Sequence, residues 1–94
     1  MSEEAFEADR FLALVAAAQG RDNRLTPIQA GLLVAAELGI ARDSRAFARL
    51  LGIAHSLVLR ELNGLAEREG LLRIVKRDLR TMRVHYMLPP RDEV

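Results

Sequence analysis

Ninety-four residues, half of them apolar and with a net charge of only +1, fit one compact domain and leave no room for a second. The chain has no cysteine, which excludes disulfide frameworks, thiolate metal sites and cysteine nucleophiles in one step. The acidic start, Met1-Ser2-Glu3-Glu4-Ala5-Phe6-Glu7, lacks the positive charge of a secretory signal, and no apolar run approaches the ~20 residues that cross a bilayer, so the expectation is a soluble, cytoplasmic protein without a membrane partner.

Glu3 to Gln19 contains no Pro or Gly and is rich in Ala and Leu, which predicts a helix stopped at Gly20. Phe6, Phe11, Leu12, Leu14 and Val15 spread over more than one helical stripe. Either this helix is covered by a second copy of the chain, or its alanines merely broaden one face. A second helix opens at Leu25-Thr26-Pro27-Ile28-Gln29, where Thr26 caps, Pro27 suits the first turn and Gln29 completes a capping box. Ile28, Leu32, Leu33 and Ala36 then recur at steps of three and four up to a stop at Gly39.

Asp43 or Ser44 caps a short third helix carrying Ala46, Phe47, Leu50 and Leu51, which Gly52 ends. A fourth spans Ser56 to Glu69, with Val58, Leu62 and Leu65 on its inner face and Gly70 closing it. Two helices separated by so short a glycine-containing turn form a helix-turn-helix pattern. Beyond Gly70 the period changes to two: Leu72 and Ile74 alternate with polar neighbours, as do Val84, Tyr86 and Leu88, around a basic turn at Lys76-Arg77-Asp78-Leu79-Arg80-Thr81. The predicted class is mainly α with a small β-hairpin (α+β), a winged helix-turn-helix. It occupies residues 1–88, with 1–22 as an amino-terminal helix and candidate dimerisation element, and 89–94 as a flexible tail.

Charge is unevenly placed. Residues 1–41 carry a net −3, whereas residues 42–88 hold nine Arg and Lys76 against Asp43, Glu61, Glu67, Glu69 and Asp78, a net +5. A basic half on a nearly neutral chain fits a polyanionic partner, although solvated surface arginines give the same count.

Four stretches in order resemble the MarR family of winged-helix regulators over residues 25–88: Leu25-Thr26-Pro27-Ile28-Gln29; Phe47-Ala48-Arg49-Leu50-Leu51-Gly52-Ile53; Leu62 to Leu72, with Leu65-Ala66-Glu67-Arg68-Glu69-Gly70-Leu71-Leu72; and Asp78-Leu79-Arg80. The resemblance implies a bacterial-type transcription regulator of double-stranded DNA, by family habit a repressor and a homodimer. Family members dimerise through helices from both chain ends, and this chain shows no carboxyl-terminal one. The burden then falls on the first helix, with Phe6, Phe11, Leu14 and Val15 as candidates, and control by a regulatory protein partner becomes more plausible than small-molecule sensing.

With Val58, Leu62 and Leu65 inward, the fourth helix presents His55, Ser56, Leu59, Arg60 and Asn63, to which Ser44 on the third helix is added as a candidate DNA contact. Arg60 suits bidentate pairing with guanine, and Asn63 suits adenine. Leu59 fits a thymine methyl, the core or a protein partner. In the turn, Arg80 is the candidate for the minor groove, with Asp78 either positioning it or forming a surface ion pair with it. Lys76, Arg77, Thr81 and Arg83 suit phosphate contacts. His55 and His85 are the only histidines and lie apart; with no metal spacing, phosphate loop or nucleophile motif, no metal, cofactor or enzymatic activity is expected. Two alternatives share the same features: a winged-helix protein-interaction module, and an antitoxin-like small regulator.

Overall fold

A computed structural model describes residues 7–90; Phe6, the predicted helix start at Glu3 and the tail beyond Pro90 lie outside them. The described residues form helices α1 (Ala8–Arg21), α2 (Pro27–Glu37), α3 (Ser44–Leu51) and α4 (His55–Ala66), then an antiparallel hairpin of β1 (Arg73–Asp78) and β2 (Arg83–Met87). The class is therefore α+β. No helix among these residues is long and apolar enough to cross a membrane.

The opening of α2 follows its sequence signature in full. Thr26 Oγ1 accepts from the Gln29 amide at 3.1 Å, Gln29 Oε1 accepts from the Thr26 amide at 3.2 Å, and Pro27 occupies the first turn, where its missing N–H costs nothing. The same two side chains reach α4: Thr26 Oγ1 donates to Glu61 Oε1 at 2.8 Å, and Gln29 Nε2 donates to the Glu61 carbonyl at 3.3 Å. A local cap thus fixes the approach of α2 to α4.

Gly31 lies where α1, α2 and α3 meet. A Cβ on it would come within 3.2 Å of Phe47 Cζ and 3.5 Å of Phe11 Cζ, so the missing side chain is the space into which two rings pack. Phe47, Leu32, Val58, Leu62 and Leu65 are fully buried around this point, and Leu72, Val84 and Tyr86 extend the core beneath the hairpin. Phe11 is only 4% exposed and Val15 is also buried, both within the single chain. Of the expected dimerisation set, Phe11 and Val15 thus pack into the chain's own core and also line an apolar cleft of about 260 Å³ with Leu12, Ile28 and Leu51; Leu14 is half-buried against the core, and Leu12 is 60% exposed.

Other boundaries also differ from expectation. Helix α1 runs through Gly20 and stops at Asp22, whose carboxylate receives Arg68 Nη2 at 2.6 Å from the exit of α4. Helix α4 ends at Ala66 rather than Glu69. In the hairpin, Lys76 and Arg77 lie in β1 and not in the turn; Lys76 pairs with His85 and Arg77 with Val84 after a bulge at Val75. The chain reverses over residues 79–82 because Met82 takes the left-handed conformation (φ 63°) that a glycine ordinarily supplies.

Truncating the ring at the three-helix junction should be costly. Phe47→Ala is expected to lower unfolding free energy by about 3–5 kcal/mol in urea titration, whereas Leu12→Ala should change it by less than about 0.5 kcal/mol. Equal losses for the two variants would contradict the core assignment.

Candidate nucleic-acid interface

Three consecutive residues at the start of α3 bind the hairpin to the helices. Asp43 is the N-cap, its Oδ1 accepting from the Ala46 amide at 2.8 Å and also taking Arg83 Nη1 at 3.0 Å. Its backbone forms an isolated antiparallel bridge with His85, giving β2 a neighbour on its second edge. Arg45 donates from Nε and Nη2 to the Thr81 carbonyl at 3.0 and 2.6 Å. Between them Ser44, at 0% exposure, accepts from the Val84 amide at 2.9 Å and shares a hydrogen bond of 2.8 Å with His55 Nε2 on the first turn of α4.

Ser44 is therefore corrected from DNA contact to internal joint: its hydroxyl is sealed from solvent and bonded on two sides. His55 is half-buried with Nε2 committed to that hydroxyl, which ties the first turn of α4 to α3. Burial, then the Arg45 and Arg83 cations, holds its imidazole below the usual 6.5, with Asp43 pulling the other way. Arg83 is half-buried in its ion pair with Asp43, and Thr81 gives its carbonyl to Arg45 and its hydroxyl oxygen to the Arg83 amide at 3.2 Å. Both of these hairpin residues brace the turn.

What remains exposed on α4 is Ser56, Arg60 and Asn63, with Leu59 half-buried between them and packed on the core. On the hairpin, Lys76, Arg77 and Arg80 are exposed, and none of them or Arg60 joins an ion pair among the described residues. Asp78 does not pair with the Arg80 side chain. Its carboxylate accepts the Arg80 amide at 3.0 Å and is held below the usual carboxylate range chiefly by that bond, with Thr81 contributing, while its carbonyl accepts the Met82 amide at 2.7 Å. The acid shapes the turn and leaves the Arg80 guanidinium to project.

The two surfaces adjoin. Leu59 and Asn63 of α4, with Arg77, Asp78, Leu79, Met82, Arg83 and Val84 of the hairpin, line one cleft of about 80 Å³. Sequence reasoning missed Arg45, which looked like one more surface cation, although its place two residues after an N-cap aspartate was visible. It also passed over Arg49, which is exposed one turn further along α3. Among the described residues no cluster of His, Cys, Asp and Glu has the makings of a metal site. Comparison with protein-family models, curated proteins and solved structures finds no match.

Two outcomes test this joint. Ser44→Ala strands the Val84 amide in the interior, and loss of a buried partner should lower stability by about 1–3 kcal/mol. Because the folded His55 pKa lies below 6.5, the unfolded chain takes up a proton that the folded chain refuses in the interval beneath 6.5. The unfolding midpoint should therefore be highest above that interval and fall as pH is lowered through it, before the carboxylates titrate. His55→Gln should flatten the slope in urea titrations between pH 5 and 7, and an unchanged slope would remove His55 from that role.

Proposed function

We propose that this protein binds double-stranded DNA in a sequence-specific manner as a transcription regulator, with α3 and α4 acting as a helix-turn-helix and the β1–β2 hairpin as its wing. The observation that carries the reading is the shared cleft: the exposed polar face of α4 and a cationic hairpin tip are neighbours. A helix can enter the major groove while the tip meets the flanking minor groove, with one phosphate strand crossing the cleft between them. The cations support the same arrangement. Arg80 is exposed in the turn, Lys76 and Arg77 are exposed on the strand that leads into it, and Arg49 stands exposed on the helix that precedes α4.

In this reading Arg60 and Asn63 read base edges, and Ser56 contacts phosphate or a base at the entry to α4. Leu59 meets a thymine methyl with the part of its side chain that the core leaves uncovered. Arg80 enters the minor groove, where narrow A·T-rich stretches concentrate negative potential. Lys76 and Arg77 neutralise phosphates. A homodimer would present two such units to half-sites about 34 Å apart, and repression would follow from occupying a promoter.

Duplex retention should fall steeply with salt, since each neutralised phosphate contributes a slope of about −0.9 in log K against log salt. Arg77→Ala should reduce that slope by about one and weaken all duplexes alike, whereas Arg60→Ala and Arg80→Ala should each cost about 1–3 kcal/mol on the preferred sequence. Salt-independent retention, or full affinity in both of the latter variants, would refute the reading. Sedimentation at micromolar concentration checks the dimer, and one chain per particle would exclude it.

A further inference from the structure

The proposed cationic wing carries an apolar side chain at its tip. Leu79 is 84% exposed, more than any other large apolar residue among those described, and Met82 beside it is 53% exposed. Leu79 stands between Asp78 and Arg80 with Arg77 close by in the strand, a neighbourhood of positive charge with the single aspartate turned onto backbone amides.

The turn that presents it is held at every step. The Asp78 carbonyl accepts the Met82 amide, the Asp78 carboxylate accepts the Arg80 amide, Thr81 Oγ1 accepts the Arg83 amide, and Arg45 grips the Thr81 carbonyl with two donors. Met82 is kept at φ 63° without a glycine, a conformation that persists only when the surroundings enforce it. An apolar group on a mobile loop would lose conformational entropy on insertion. Here the backbone that carries the side chain is already ordered in folding, so that share of the cost does not recur on insertion.

We propose that Leu79 is a wedge that enters a base step of the minor groove and kinks the duplex. The inference rests on the DNA-binding reading above and adds a mechanical consequence to it. The charge around the tip selects the occupant, because Lys76, Arg77 and Arg80 draw in a polyanion, and the apolar surface that a polyanionic duplex can offer at a groove floor lies between its stacked bases. Leu and Met are side chains that architectural DNA-binding proteins use in this way, opening a step so that the bent duplex covers more protein. Arg80 then occupies the groove next to the opened step, and flexible pyrimidine–purine steps such as TA and CA should be favoured at that position without any hydrogen bond to them.

The test uses the full chain and a duplex enriched from a random-sequence pool by the wild-type protein. Fluorescence energy transfer between end labels reads the bend, and 2-aminopurine scanned along the tip side reads unstacking. Wild type should bend the duplex by some tens of degrees and brighten one step. Leu79→Ala should abolish both signals with about a tenfold loss of affinity, and Leu79→Met should restore them. Binding that persists in Leu79→Ala with an unchanged bend and no bright step in either protein overturns the wedge and leaves the DNA-binding reading standing. Failure to enrich any duplex overturns both. Unaltered duplex binding by Leu79→Ala, together with loss of a protein partner, would likewise overturn the wedge and assign the tip to protein docking.

Discussion

The buried hydroxyl of Ser44 ties α3, α4 and the hairpin together at a single oxygen. A two-stranded hairpin has little stability of its own and must lean on something. Here the ladder of β2 is pinned at Val84 by an oxygen belonging to α3, and the same oxygen reaches the first turn of α4 through His55. Asp43 and Arg45 flank it with bonds to Arg83 and Thr81, so three consecutive residues of one helix start hold Thr81, Arg83 and Val84 of the hairpin. The pairing is backbone-directed at two of these points, which makes it insensitive to which side chains the hairpin exposes.

The parts of the fold that were legible in the sequence are those whose physics is local. The Thr26–Gln29 box, Pro27 at the helix start, and the positive-φ glycines at 39, 52 and 70 announce themselves within a few residues, because the competing backbone states are settled there. Gly31 and Phe11 were not legible. A glycine inside a helix carries no instruction until Phe47 from α3 and Phe11 from α1 are seen to fill the same space. An apolar residue on α1 therefore reads equally well as core or as interface. Ser44 failed for a related reason: Asp43 and Ser44 are both good caps, and only the distant Val84 amide decides which one turns inward. The hairpin boundary moved because Met82 adopted a conformation that residue type does not advertise.

The exposure of Ser56, Arg60 and Asn63 on α4 and of Lys76, Arg77 and Arg80 on the hairpin matches what helical phase and charge predict, whereas the half-burial of His55, Leu59 and Arg83 and the division of labour among the cations follow from neither. Arg68, Arg83 and Arg45 are matched by Asp22, Asp43 and a carbonyl respectively, and their charge is used inside the chain. Arg60, Arg77, Arg80 and Lys76 join no direct ion pair among the described residues, although the Lys76 charge is felt by Asp78. A count of arginines cannot make this distinction, since the internally paired and the outward-facing ones are identical in composition. Only the positions of Asp22, Asp43 and the Thr81 carbonyl separate them.

If the proposed DNA-binding reading holds, rigid coupling between hairpin and helices has a consequence that follows from ordering costs. If the tip moved independently of α4, each groove contact would lose its own share of conformational freedom on binding. With the tip tied through Arg45 and Ser44 to the same helix pair that presents Arg60 and Asn63, placing one group on a duplex places the others. Specificity then resides in the distance between the two contacts as much as in either one. On the proposed reading a duplex would have to offer a readable major-groove edge and a yielding minor-groove step at one fixed separation, and sequences meeting only one of these conditions would gain little from it.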